Sequence, residues 1–96
     1  RARKFLLQTL KHKPFNKDNG HAAIVLSSME DHPDTGAACL ELLQEEKVPF
    51  FAHYLVFGCA GLEDATKRDT FKAFLNSNKF SDEIKNEIKV VINNFS

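Results

Sequence analysis

The sequence predicts an all-α fold of about six short helices, and three observations lead to that prediction. Apolar side chains recur at helical spacing, most clearly where Ile84, Ile88 and Val91 fall at i, i+4 and i+7. Residues that commonly cap helices stand just before such segments. Four glycines and three prolines among 96 residues are too few for a turn-rich β fold. We expect one domain over residues 1–96, either complete or part of a longer chain.

The first two helices are predicted over residues 2–12 and about 20–30. The first carries apolar side chains at i, i+4 and i+8. Asp18 or Asn19 is predicted to cap the second. The pair His32-Pro33 should end it, because a residue before proline is pushed out of the α region.

The third and fourth helices are predicted over about 35–46 and from Pro49 to about 58–61. Asp34 is the expected cap of the third helix. Pro49 suits the first turn of the fourth, where its missing N–H costs nothing, and the glycines near its end offer a stop.

The last two helices are predicted to start at Asp64 or Thr66 and at Ser81. The fifth, ATKRDTFKAFLNS, places three apolar side chains on one face. In the sixth, Ser81 is the expected N-cap, and the acidic residues Asp82 and Glu83 match the positive end of the helix dipole.

The helices can be grouped as three helix–turn–helix units of about 30 to 33 residues, a period typical of α-solenoids. The segment LLQTLKHKPFNKD aligns with FKAFLNSNKFSDE, so that Leu10 matches Leu75 and Phe15 matches Phe80. The middle segment LELLQEEKVPFF fits with a small insertion. In this pattern the chain resembles a short HEAT-like repeat array, which implies that its second helices line one face and bind a protein.

Two other all-α arrangements are open. Six short helices in a chain of this length are similar in layout to the compact six-helix bundle of the death-fold family. A generic orthogonal bundle would also accommodate them. A three-unit array would expose apolar flanks, Phe5 and Leu7 at one end and Val91 and Phe95 at the other, which would favour self-association.

The stretch VPFFAHYLVFGCAGL, residues 48–62, is the most apolar part of the chain. It is shorter than the roughly 20 apolar residues of a membrane span and is followed at once by two acids, so we expect no membrane span. A helix that is apolar all round is predicted to be buried all round. We therefore expect Tyr54→Phe to be tolerated and Phe57→Ala to cost roughly 3–5 kcal/mol.

Charge is balanced overall, with 13 basic and 13 acidic residues, but it is unevenly distributed. Residues 1–17 contain lysines and arginines and no acid, whereas residues 18–46 contain acids and no lysine or arginine. Such polarity can steer a charged protein partner. Nucleic acid is not an expected partner, because no basic patch interleaved with aromatic residues is present.

No catalytic or metal-binding pattern is present. The four histidines lack metal-ligand spacing, so we expect no metal and no cofactor. The cysteines Cys39 and Cys59 lie in apolar runs and are predicted to be buried free thiols. An enzyme or thiol-redox role through them is the third functional hypothesis; we expect no enzyme.

We rank two binding hypotheses above the enzyme or thiol-redox role. The first is a protein–protein interaction or scaffold module, and the second is a small stoichiometric inhibitor or immunity-type protein that uses the acidic surface of residues 30–46. Without a visible signal peptide, the cytoplasm is the expected compartment. The candidate binding residues are Glu41, Glu45, Glu46, Lys85 and Lys89.

Overall fold

Six α-helices make up the computed structural model, which describes residues 2–12, 15–29 and 32–95. Single 3₁₀ turns, Cys59–Gly61 and Phe74–Asn76, extend the fourth and fifth helices. The described residues contain no strand, and the predicted all-α fold of six helices is confirmed. The helices are α1 Ala2–Lys11, α2 Lys17–Ser28, α3 Pro33–Leu43, α4 Ala52–Gly58, α5 Ala65–Ala73 and α6 Asp82–Asn94.

Helix α2 begins earlier than predicted because Asn16, not Asp18 or Asn19, is its cap. The side chain of Asn16 accepts a hydrogen bond from the backbone N–H of Asp18 at 2.8 Å. The side chain of Asn19 accepts in return from the Asn16 backbone, which completes a capping box. The predicted end of this helix at Glu30 lies outside the described residues.

Helix α3 also starts before its predicted cap. Its N-cap is His32, whose Nδ1 accepts from the backbone N–H of Asp34 at 3.2 Å. Pro33 occupies the first helical position, where proline is tolerated because no intrahelical N–H is needed there. Asp34 is therefore a first-turn residue rather than the cap.

Of the three remaining helix starts, that of α4 differs from the prediction, and the predicted caps of α5 and α6 are confirmed. Helix α4 begins at Ala52, and Pro49 lies in the preceding turn, where its carbonyl accepts from the Ala52 N–H at 3.0 Å. Asp64 caps α5 by accepting from the Lys67 N–H at 3.0 Å. Ser81 caps α6, as predicted.

The helices pack in two rows. Successive helices contact each other in the pairs α1–α2, α3–α4 and α5–α6. Across the pairs, α2 contacts α4 and α4 contacts α6, while α1 contacts α3 and α3 contacts α5. The molecule measures 32 × 27 × 19 Å along its principal axes. The HEAT-like character of this array stays a prediction.

The core lies around α4, but one side of this helix faces solvent. Leu55 and Val56 are fully buried, and so is Cys59 in the following turn. Phe57 and Tyr54 are each 40% exposed, because they lie on the side of α4 that none of the described helices covers. The prediction that this helix is buried all round is wrong. None of the described helices combines the length and hydropathy needed to cross a membrane.

Candidate functional site

A cleft of about 340 Å³ lies beside the loop that joins α3 to α4. One wall is Phe15, from the connection between α1 and α2, and the rest comes from the loop itself. Apolar and charged side chains therefore meet on one concave surface. The lining residues are Phe15, Glu45, Glu46, Lys47, Val48, Pro49 and Phe50.

Phe50 is the most exposed apolar side chain in the cleft, at 69% of its surface. Its ring packs edge-to-face on the buried Phe51, with the centroids 4.9 Å apart, and Phe15 packs on the same ring at 5.4 Å. A Cβ at Gly20 would lie only 3.3 Å from the Phe50 ring, so a larger residue at this position of α2 would crowd the ring. The exposed phenylalanine is thus held in position by residues beneath it.

Lys79 anchors the backbone of the loop that carries the charged residues of the cleft. Its ammonium donates hydrogen bonds to the carbonyl oxygens of Leu43 and Glu45, both at 2.8 Å. These carbonyls belong to the end of α3 and the loop after it, where the helix leaves acceptors without intrahelical donors and where a cation is favourable. The backbone that carries Glu45 is therefore anchored to the loop before α6.

The structure brings together two of the five predicted binding residues. Glu45, half-buried, and the exposed Glu46 line the cleft. Glu41 is exposed on α3 but does not line it. Lys85 and Lys89 lie one turn apart on α6, also outside the cleft.

Part of the predicted acidic surface is matched by positive charge within the fold. The Arg3 guanidinium lies 3.4 Å from the Asp34 carboxylate, linking α1 to α3. Lys47 lines the cleft beside the two glutamates. Glu30 and Asp31, the start of that surface, lie outside the described residues. Fewer carboxylates therefore line the cleft than the segment of residues 30–46 contains.

His53 joins α4 to α6 at the edge of the core. Its Nδ1 lies 2.6 Å from Glu87 Oε1, and its Nε2 lies 3.8 Å from Glu83 Oε1. The two glutamates are one turn apart on α6, so both can face the same imidazole. This contact between helices could not be predicted from sequence, because it depends on how α4 and α6 are placed.

The two cysteines are buried free thiols, as predicted. Burial raises the pKa of Cys39 to about 12. Burial and the neighbouring Cys39 raise the pKa of Cys59 well above its ordinary value. Because the thiolate is the reactive form, neither group is suited to nucleophilic chemistry near neutral pH. Within the described residues, no three His, Cys, Asp or Glu side chains converge as metal ligands would.

Sequence reasoning missed Phe50 and Phe15 as cleft residues. Phe50 falls in the apolar stretch that was predicted to be buried, whereas Phe15 is an isolated aromatic residue in the polar connection between α1 and α2. The only available signal was the abrupt change from the charged Glu45–Lys47 to the apolar stretch that begins at Val48.

The chain matches no protein-family model, no curated protein and no solved structure at a significant level.

Proposed function

We propose that this chain is a protein–protein interaction module, a short HEAT-like array that binds its partner at the cleft beside the α3–α4 loop. The observation that carries the proposal is Phe50, which packs on Phe51 beneath it and is 69% exposed in a cleft that Glu45 and Glu46 also line. Exposed aromatic side chains of this kind are typical anchors of protein interfaces.

The packing of the helices supports the HEAT-like part of the proposal. In such arrays each helix pair contacts its neighbours, and the first and second helices form separate rows. The contacts of α1, α3 and α5 on one side and of α2, α4 and α6 on the other follow that plan. The turns within the first two pairs both contribute to the cleft.

The chemistry of the cleft specifies the partner. Phe15, Val48 and Phe50 offer an apolar floor. Among the described residues, Glu46 adds an exposed carboxylate to the cleft, and Glu45 and Lys47 line it as well. A segment that inserts an apolar side chain and carries Lys or Arg beside it matches both features. The proposal assigns the cleft a binding role.

The inhibitor hypothesis uses the same region but gives the carboxylates the main role. Asp34 is already paired with Arg3, and the loop backbone at Glu45 is held by Lys79. Exposed ion pairs contribute only about 0–1 kcal/mol each. An aromatic anchor can contribute 2 kcal/mol or more, so we rank Phe50 above the carboxylates.

We propose the cytoplasm as the compartment in which the module works. Cys39 and Cys59 are both buried and form no disulfide in the structure. Unpaired thiols persist in reducing compartments, whereas secreted domains of this size more often use disulfides.

The test is a selection of peptides from a random display library on the whole chain. We expect the enriched peptides to combine an aliphatic or aromatic residue with Lys or Arg. Phe50→Ala should weaken their binding by about 30-fold, the equivalent of about 2 kcal/mol. Glu46→Lys should weaken it by up to about fivefold at low salt, as expected for an exposed charge pair.

Phe5→Ala is the matched control, because Phe5 is 68% exposed and does not line the cleft. It should leave the affinity of these peptides unchanged. Peptides that bind Phe50→Ala as tightly as the wild type would refute the proposed site. A larger effect of Glu46→Lys than of Phe50→Ala would favour the inhibitor hypothesis.

A further inference from the structure

Exposed aromatic side chains continue from the cleft along the open side of α4. Phe50, Tyr54 and Phe57 follow one another at i, i+4 and i+7, the spacing of side chains that share one side of a helix. Phe50 lies in the turn just before α4, where the Pro49 carbonyl accepts a hydrogen bond from the Ala52 N–H. The exposed fractions of the three aromatic side chains are 69%, 40% and 40%. We call these three residues the aromatic stripe.

The apolar residues that were expected to be open at the α6 end of the molecule are covered instead. Val91 of α6 is buried, and Phe95 packs on Phe71 with the ring centroids 5.9 Å apart. The guanidinium of Arg68 covers the Phe95 ring at 4.7 Å. The expectation of an apolar flank at Val91 and Phe95 is therefore wrong, and the aromatic stripe lies on the middle pair of helices.

The edge of the aromatic stripe on the α6 side is acidic. Glu83 and Glu87 are placed there by His53 of α4, whose two ring nitrogens face their carboxylates. Phe57 follows His53 by one turn and therefore lies on the same side of α4. The side chain of Glu83 is 78% exposed, so a bound partner can reach its carboxylate.

The lysines of α6 lie away from this acidic edge. Lys85 and Lys89 are each two residues from Glu87, which places them about 160° around the helix from it. Val90 follows Glu87 at i+3 and is 53% exposed, so it adds an apolar side chain to the edge. The α6 edge thus presents two carboxylates and an apolar side chain next to the aromatic stripe.

The opposite edge of the aromatic stripe, on α2, differs in charge. Gly20 lies at this edge, because a Cβ there would be 3.3 Å from the Phe50 ring. Lys17 and Ile24 stand three residues before and four residues after Gly20, so they share its side of α2. Both side chains are exposed. The aromatic stripe is therefore bordered by carboxylates on α6 and by an ammonium on α2.

We propose that the aromatic stripe binds an amphipathic helix of a partner protein, with the partner's lysines or arginines facing Glu83 and Glu87. The inference rests on the proposed function, because it describes how the partner at the cleft continues along α4. Apolar anchors at i, i+3 or i+4, and i+7 of the partner match the spacing of the aromatic stripe. Lys17 disfavours basic residues on the α2 side, so charge also fixes which flank of the partner helix is basic.

A helical partner suits this surface better than an extended one. An extended peptide gains main-chain hydrogen bonds from the edge of a sheet, and the described residues contain no strand. A helix satisfies its own backbone hydrogen bonds, so it needs only side-chain contacts from its receptor. Tyr54 and Phe57 supply aromatic surface for such contacts, and aromatic residues are enriched at protein interfaces.

The test uses two labelled synthetic helices with the same leucine stripe, one with lysines along one flank and the other with glutamates at those positions. Binding to the whole chain is measured by fluorescence anisotropy at several salt concentrations. The basic helix should bind at least about tenfold more tightly than the acidic one, and its affinity should fall with salt. Phe57→Ala should weaken its binding by about tenfold. Glu83→Lys should weaken it by up to about fivefold at low salt.

Asp82→Lys is the matched control for Glu83→Lys. It makes the same charge change in the first turn of α6, but Asp82 lies about 100° around the helix from Glu83, on the side away from Glu87. It should change the affinity of the basic helix by less than about twofold, since salt screens more distant charges. A peptide with the same lysines but a scrambled leucine stripe should bind at least about tenfold more weakly than the basic helix. Far-UV circular dichroism checks that each variant is folded.

Two variants distinguish a failure of this inference from a failure of the proposed cleft. Phe50→Ala should weaken both the basic helix and the short peptides selected on the cleft, whereas Phe57→Ala should weaken only the helix. If Phe50→Ala weakens the short peptides but Phe57→Ala and Glu83→Lys leave the helix unaffected, the cleft stands and the helical partner is refuted. If the helix depends on Phe57 and the short peptides do not depend on Phe50, only the cleft is refuted.

Three further outcomes would overturn the inference. The first is equal binding of the basic and acidic helices. The second is an equal effect of Asp82→Lys and Glu83→Lys, which would indicate nonspecific attraction to the acidic residues of α6. The third is a concentration-dependent dimer, seen by light scattering and lost in Phe57→Ala, which would show that a second copy covers the aromatic stripe.

Discussion

Asn19 carries the most connected polar side chain in the interior. Only 1% of its surface is exposed, and its Nδ2 lies within 2.9 Å of the carbonyl oxygens of Thr9, Leu10 and His12. Its Oδ1 accepts from the backbone of Asn16. One amide therefore satisfies the carbonyls at the end of α1 and a backbone donor at the start of α2, where both helices leave groups without intrahelical partners.

Asn19→Ala should destabilise the chain by about 2–4 kcal/mol, because one buried and three part-buried backbone groups lose their partner at once. Urea denaturation measures the free energy of unfolding. Asn86→Ala on the exposed face of α6 is the matched control and should change it by less than about 0.5 kcal/mol. Equal losses in the two variants would show that the α1–α2 connection does not depend on this amide.

Because the two thiols are buried, the free energy of unfolding should vary with pH in the alkaline range. The pKa of Cys39 is raised from an ordinary 9.0 to about 12, so below pH 9 the thiol is protonated in both the folded and the unfolded state. Above pH 9 the unfolded chain releases this proton and the folded chain keeps it. Stability linked to Cys39 is therefore fully present below pH 9 and is lost as the pH rises towards 12.

Cys39→Ala should reduce the slope of unfolding free energy against pH between pH 9 and 12. Each such thiol contributes at most about 1.4 kcal/mol per pH unit in that window. Because the substitution also leaves a small cavity, the comparison concerns the slopes from urea denaturation and not the absolute values. Parallel curves for the wild type and the variant would contradict the assignment.

At the scale of elements, α4 has two distinct sides. Leu55 and Val56 are fully buried against its neighbours, whereas Tyr54 and Phe57 lie on the open side. His53 lies at the boundary, paired with Glu87 of α6. One side of α4 is therefore buried and the other faces solvent, although both sides are apolar in sequence. For that reason hydrophobic periodicity could not distinguish the buried side from the exposed side.

Leu55→Ala should cost about 2–5 kcal/mol, the range for truncating a buried aliphatic side chain. Phe57→Ala should cost only about 1 kcal/mol, because much of the ring is already in contact with water. Chemical denaturation of the two variants gives the comparison. A loss for Phe57→Ala as large as for Leu55→Ala would mean that the open side of α4 is covered in solution.

Across the whole molecule, α4 is the central element and α1 a terminal one. Helix α4 contacts α2, α3 and α6, whereas the contacts of α1 are with α2 and α3. Local opening is easiest where few buried contacts hold an element. The molecule should therefore open locally at α1 before it unfolds globally.

Hydrogen exchange in low concentrations of urea should show this order. Amides of α4 and α6 are expected to exchange only through global unfolding, and amides of α1 through an opening of lower free energy. The amides at Leu55 and Ile88 on one side and Leu7 on the other are suitable reporters. Identical opening free energies in all three would indicate a single cooperative unit.

The candidate site was only partly predictable. Glu45 and Glu46 stood out because acids concentrate in one segment, and both line the cleft. Phe50, the residue that carries the proposed function, could not be separated from the core phenylalanines, since exposure depends on which elements lie above a side chain. Lys85 and Lys89 were chosen for their spacing on one helix, but the fold places them away from the cleft.

Local physical chemistry in the sequence determined the six helices, the caps at Asp64 and Ser81, and the burial of both thiols. Caps and helical periodicity act over a few residues, so they can be read without knowing the fold. Only the tertiary structure decided that Phe51 is covered while Phe50 and Phe5 are open, and that one end of the array is closed by Phe95 and Arg68. An apolar side chain favours burial but does not specify a neighbour, so the placement of the helices determined which apolar surfaces remain available for a partner.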